Sequence, residues 1–162
     1  AVQVLNKMIL RFDQQFPDSL RQQAADMGYS VHELITIASL IEKETDGSDQ
    51  TTIASVIYNR LDHPEYETVG LLQIDAAIAY ATGRAVTQAD YQTVDSPYNT
   101  YLNKGLPPGP IASPGMVSIN SALNPASTNY YYYVVGDEAL HHFFRTHTEF
   151  EAYQATLGGN NG

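Results

Sequence analysis

Apolar positions recur at helical spacing through the first half of this chain. Leu5, Met8, Ile9 and Phe12 lie about one turn apart, so the first segment reads as a helix ending before Pro17. Asp18 or Ser19 can cap a second short helix that stops at Gly28. Ser30-Val31-His32-Glu33 is a capping box and opens a helix carrying Leu34, Ile37, Leu40 and Ile41. Ile53, Val56, Ile57 and Leu61 mark the next helix, with Asn59 and Arg60 near its end. Thr68 to Ile74 is short and apolar, a strand or an extended edge. Asp75 then holds the N-cap place for residues 76–82, with Gly83 as the stop, and Thr87 to Tyr91 make one or two further turns.

The second half reads differently. Pro97, Pro107, Pro108, Pro110 and Pro114, with Gly105 and Gly109, forbid a regular element between Val94 and Pro114. Ser113-Pro114 starts a helix running to about Leu123. Tyr130 to Val135 and His141 to Arg145 are dense in β-formers and flank Gly136-Asp137-Glu138, which predicts a hairpin. Thr148-Glu149-Phe150-Glu151 is a second capping box and begins a final helix. Helices first and one hairpin late give an α+β fold, mainly helical. The expected organisation is a single domain over residues 1–157, with N-terminal helices over 1–28, a core over 30–157 and a flexible tail at 158–162.

Composition narrows the function. With 43% hydrophobic and 16% charged residues the chain is globular rather than disordered. A formal net charge of −10 repels a phosphate backbone, so nucleic acid is not an expected partner. There are no cysteines, which excludes thiol chemistry, disulfides and cysteine-ligated zinc. His141, His142 and His147 lack the i, i+4 spacing of a helical metal site, so neither a metal nor a cofactor is expected. No apolar run is long enough to span a bilayer. The chain opens inside a helical pattern with no secretory signal, which suggests a domain whose anchor or export signal lies upstream.

The stretch Ile37-Ala38-Ser39-Leu40-Ile41-Glu42-Lys43-Glu44 raises the chemical question. At about 100° per residue, with Ile37 at zero, Leu34, Leu40 and Ile41 define a stripe centred near +10°. Glu44 falls near −20°, on the stripe, and Glu42 near +140°, off it. A carboxyl group placed where an apolar face ends loses hydration of its charged form; its pKa rises, and it can serve as a general acid. Against that, Glu44 can bend outward and pair with Lys43 or Arg60. Glu42 reads as a solvated surface charge.

Five segments, LITIASLIEKET, IASVIYNRL, LLQIDAAIAYATG, SPYNTYLNKGLPPGPIASPG and NPASTNYYYYVV, resemble in that order the MltG/YceG-like family of endolytic murein transglycosylases. The resemblance runs from about Leu34 to Phe150. It implies a lysozyme-like catalytic domain, normally preceded by a membrane anchor and a LysM-like module. It also implies that Glu44, directly before the threonine of E-K-E-T, is the catalytic acid. The implied reaction cuts peptidoglycan glycan strands on the outer face of the bacterial cytoplasmic membrane and leaves 1,6-anhydro-N-acetylmuramic ends. The partners implied are those strands and the enzymes of wall synthesis and division.

Around such an acid the sequence offers further candidates. Gln73 and Asp75 share a face if their segment is extended, and both can bond N-acetyl or hydroxyl groups, although Asp75 is better read as a helix cap. Tyr98, Asn99 and Tyr101 lie in a proline-bounded loop suited to sugar contacts, or are ordinary loop packing. Leu106 to Gly115 reads as a cleft wall, and Tyr130 to Tyr133 as a strand with alternate rings buried rather than a sugar platform. Two rival functions stay open: a muramidase with Glu44 as acid and Asp75 as second carboxylate, and a non-catalytic glycan-binding or scaffold domain.

Overall fold

The box at Ser30 forms as its spacing predicts. Ser30 Oγ accepts the Glu33 N–H at 3.2 Å, and Glu33 Oε2 accepts the Ser30 N–H at 2.8 Å. These bonds satisfy free donors at the start of a 14-residue helix, Val31–Glu44. The structure, a computed structural model, describes residues 2–45, 47–136 and 140–158. Its elements run α1 (Val2–Gln15), α2 (Asp18–Asp26), α3 (Val31–Glu44), α4 (Gln50–Asp62), α5 (Asp75–Thr82), α6 (Asp90–Thr93), α7 (Met116–Leu123), β1 (Tyr132–Val135), β2 (His141–Phe144) and α8 (His147–Gly158). The fold is α+β and mainly helical, with its hairpin late, as the order of patterns predicts.

α3 is the central helix and packs against α2, α4, α5 and α7. It is buried on every side from Thr36 to Ile41, not along a stripe alone. Two hydroxyls tolerate this because each is bonded. Thr36 Oγ1 donates to the His32 carbonyl at 2.8 Å, while Ser39 Oγ donates to Thr36 O at 2.7 Å and accepts the Ile111 N–H at 3.0 Å. Ile53 and Ile57 of α4, Leu72 and Ile74 before α5, and Ile119 and Leu123 of α7 complete the core around it. β1 and β2 pair antiparallel with Tyr132 opposite Phe144 and Val135 opposite His141, and α8 packs on both strands.

Several expectations shift. α1 forms where predicted, yet its apolar stripe stands in the open, with Leu5, Met8 and Ile9 each more than half exposed. Pro17 takes the N-cap place of α2, so Asp18 is helical rather than a cap. Residues 68–74 do not form a strand: Val69 and Gln73 adopt left-handed φ of 49° and 51°, which breaks the pleat and leaves a lone bridge between Leu71 and Lys104. The turn expected at Thr87–Tyr91 lies three residues on, as α6, where the Asp90 carboxylate turns back to the Thr87 N–H at 2.7 Å. α7 starts after Gly115 rather than at Ser113-Pro114.

The final capping box uses Thr146 and Glu149, not Thr148 and Glu151: the Glu149 N–H reaches Thr146 Oγ1, and Glu149 Oε2 takes the Thr146 N–H. Both pairs fit the same motif. The first is selected because Glu67 Oε2 also accepts the His147 N–H at 2.9 Å and fixes the helix start there. Asp137 and Glu138 of the hairpin turn, and residues 159–162 of the expected tail, lie outside the described residues.

Candidate active site

Glu44 is the last residue of α3, and Thr45 leaves the helix in extended conformation. The side chain is half-buried and enters a cleft of about 730 Å³ lined by Glu44, Gln73, Asp75, Tyr101, Tyr133 and the buried Arg60, with residues of β1 and α8 beyond. Burial pushes its carboxyl above the ordinary 4.5. The hydroxyl of Tyr133, which donates to Oε2 at 2.6 Å, opposes this, the Asp75 carboxylate adds to it, and the charges of Arg60 and His141 oppose it weakly. The net direction is upward. Glu44 therefore does not bend out to pair with Lys43, and Arg60 is spent elsewhere.

Arg60, only 5% exposed, donates from Nε to the Tyr131 carbonyl at 2.7 Å and from Nη1 to the Leu72 carbonyl. Its guanidinium carbon lies 5.7 and 5.6 Å from the ring centroids of Tyr132 and Tyr133. One side chain thus ties α4 to both walls of the cleft, the segment before α5 and the start of β1.

Asp75 is not the cap of α5. Ile74 holds the N-cap position, and no side chain bonds there. Asp75 instead accepts the Tyr101 hydroxyl at 2.6 Å on one oxygen and the Tyr91 hydroxyl at 3.0 Å on the other. Those two rings stack at 4.1 Å and 12°. Gln73 reaches the same cleft, but through its left-handed backbone rather than through alternation along a strand. Its N–H donates to Thr100 O at 3.0 Å, and Thr100 Oγ1 accepts the next N–H, from Ile74, at 2.9 Å.

The loop residues divide. Tyr101 faces the cleft. Asn99 is fully buried; its amide donates to the carbonyls of Asp90, Tyr91 and Val94, and its Oδ1 accepts the Tyr101 N–H at 3.0 Å. It shapes the loop and offers nothing to a ligand. Tyr98 packs against Tyr80, with ring centroids 5.0 Å apart, outside the cleft lining. Leu106 to Gly115 is likewise no wall of this cleft: Ile111 is bonded to Ser39, and Pro108 O to His32 Nε2, so the segment covers α3. Glu42 is exposed but not idle. Its Oε2 accepts the Ser118 hydroxyl at 2.6 Å and the Gly115 N–H at 3.1 Å, holding the start of α7 from a neighbouring helix.

Sequence reasoning missed Tyr133, Arg60, Glu67 and the α8 residues His147, Phe150 and Gln154, all of which line the cleft. Alternation in Tyr130 to Tyr133 fails because Tyr131 and Tyr132 are both buried, at 9% and 7%. Tyr131 precedes the strand and Tyr132 begins it, both drawn inward, while Val135 at its end is exposed. A density of tyrosines beside a predicted cleft was the available signal for Tyr133.

The shifted carboxyl makes stability depend on pH. In unfolded chain Glu44 loses its proton near 4.5, whereas the folded protein holds it to higher pH. Below 4.5 both states are protonated and nothing is lost; as pH rises from there through the folded value, the native state is progressively destabilised. Glu44→Gln removes this dependence. The variant's melting temperature should gain on the wild type's as pH rises above about 4.5, and a pH-independent difference would show that the carboxyl titrates normally.

The YceG-like family model matches residues 1–156. The chain is 40% identical over 131 residues to an endolytic murein transglycosylase of Bacillus subtilis (strain 168), covering 79% of this chain and 35% of the relative. It is 40% identical over 108 residues to an endolytic murein transglycosylase of Streptococcus pneumoniae (strain D39), covering 65% of this chain and 20% of that one. It spans about a third of the first relative's length and a fifth of the second's. A YceG-like protein of Listeria monocytogenes, known from a crystal structure, superposes with a TM-score of 0.81 at 36% identity, covering 93% of this chain and 47% of that chain.

Proposed function

This chain belongs to the YceG-like family, and we propose that its cleft cuts the glycan strands of peptidoglycan by transglycosylation, with Glu44 as the acid. The observation that carries the reading is the carboxyl of Glu44: half-buried at a helix end, raised in pKa, and turned into an open cleft of about 730 Å³. The names of the relatives support the substrate class. Murein lies outside the cytoplasmic membrane, so the working protein acts on that face.

In the forward step protonated Glu44 gives its proton to the bridging oxygen as the bond from that oxygen to the anomeric carbon of the muramic sugar breaks. The sugar's N-acetyl oxygen stabilises the electron-poor carbon. Glu44, now a carboxylate, takes the proton of the C6 hydroxyl as that oxygen closes on the same carbon. No water is consumed, and the product carries a 1,6-anhydro end. One carboxyl serves both steps because its donor and acceptor states alternate. Asp75, with each oxygen engaged by a tyrosine hydroxyl, braces Tyr101 in the cleft wall and the Tyr91 ring stacked on it.

Mass spectrometry of purified glycan strands digested in 18O-labelled water tests this. Anhydro-ended fragments without label are expected. Reducing ends carrying the label would instead make the protein a muramidase, with Asp75 as the second carboxylate, and Asp75→Asn would then abolish cleavage.

A further inference from the structure

Glu44 is held by a closed circuit of side chains that the transglycosylation scheme does not itself require. Tyr133 of β1 donates its hydroxyl to Glu44 Oε2 at 2.6 Å. The Tyr133 ring meets the His141 imidazole edge to face, with centroids 5.6 Å apart and planes at 87°. His141 Nδ1 lies 2.6 Å from Asp49 Oδ2 at the start of α4. Asp49 Oδ1 accepts the Thr45 hydroxyl at 2.6 Å, and Thr45 follows Glu44 in the chain. Although burial pushes the Asp49 carboxyl upward, the Thr45 hydroxyl and the His141 ring together hold it below the ordinary value. An ionised carboxylate only accepts, so His141 Nδ1 carries the hydrogen of that contact. The circuit therefore leaves the end of α3, crosses to α4 and the hairpin, and returns to the acid.

Resting on the reading of Glu44 as the acid, we propose that Tyr133 is a positioning residue that sets which oxygen of Glu44 carries the mobile proton, and that the Thr45–Asp49–His141 chain holds Tyr133 to that task. The carboxyl oxygen that accepts the tyrosine hydroxyl is the carbonyl-like one, so the acidic hydrogen resides on Oε1. Once Glu44 has given its proton away, the same hydroxyl bonds a carboxylate and binds more strongly, because hydrogen bonds to charged acceptors exceed neutral ones. Tyr133 thus favours the state that follows proton donation and lowers the barrier to it.

The electrostatic neighbours of Glu44 are Asp75 from α5, Arg60 from α4, His141 from β2 and Tyr133 from β1. Of these, the Tyr133 hydroxyl is the one whose removal leaves every formal charge in place. Tyr133→Phe also keeps the ring that packs on His141, Phe143 and Arg60.

The test is carboxyl-carbon NMR of 13C-glutamate-labelled protein, with Glu44 assigned by its absence in Glu44→Gln. The Glu44 midpoint should rise by about one pH unit in Tyr133→Phe, a tenfold change in proton affinity. It should rise by less in His141→Leu and return towards the wild-type value in His141→Asn, whose amide N–H replaces Nδ1–H. In kinetics on glycan strands, kcat should fall in Tyr133→Phe with KM unchanged, and the alkaline limb of the rate profile should move up with the midpoint. A midpoint that stays or falls in Tyr133→Phe overturns the proposal. If Glu44→Gln cuts strands as the wild type does, the acid reading fails instead, and the midpoints still decide whether Tyr133 governs Glu44.

Discussion

Glu44→Gln is expected to reduce glycan cleavage by about 10²–10⁴-fold while leaving the fold intact. The substitution is close to isosteric, and the amide oxygen can still accept the Tyr133 hydroxyl. What it removes is the ionisable hydrogen, and with it both halves of the scheme, since one group donates to the leaving oxygen and later accepts from the C6 hydroxyl. The loss should therefore fall on kcat, with glycan affinity nearly unchanged because no binding contact is deleted. Melting curves recorded alongside separate chemistry from folding: the variant should melt at or above the wild-type temperature near neutral pH, for the linkage reason given above. Cleavage within tenfold of the wild type would remove Glu44 from the mechanism.

The largest expected loss of stability comes from Arg60→Met. The methionine fills much of the volume but leaves the carbonyls of Leu72 and Tyr131 without their donor inside the protein. Each orphaned carbonyl costs about 1–3 kcal/mol, so about 2–6 kcal/mol should disappear from the urea unfolding free energy. Arg60→Lys should recover little, because an ammonium cannot fork to carbonyls on two separate segments. A second effect follows from charge. The Arg60 cation holds the Glu44 carboxyl down, so its removal should move the alkaline limb of the activity profile upward. A destabilisation below about 1 kcal/mol would mean that water or a neighbour satisfies those carbonyls.

Prediction from the sequence succeeded where the physics is local. The Ser30 capping box, the proline breaks and the Gly83 stop, whose φ of 68° suits a residue without a Cβ, each depend on a few adjacent residues. It failed where two local solutions compete, as with Thr146 and Thr148, or where a distant partner captures a side chain, as Tyr91 and Tyr101 capture Asp75. Helical geometry singled out Glu44, whose carboxyl enters the cleft, although its premise was incomplete. α3 is buried all round in its middle, so the wheel located the direction in which the helix end points rather than a stripe separating core from water.

The sequence by itself determined the helical framework, the late hairpin and the place of Glu44 at the end of α3, because periodicity and capping are written in neighbouring residues. Only the tertiary structure decided what surrounds that carboxyl. Tyr133 lies 89 positions from Glu44 along the chain, His141 92 from Asp49, and Arg60 71 from the Tyr131 carbonyl. No local pattern specifies such pairs. Packing of the hairpin beside the end of α3 brings Tyr133 to Glu44, and burial there pushes the Glu44 carboxyl above its ordinary pKa.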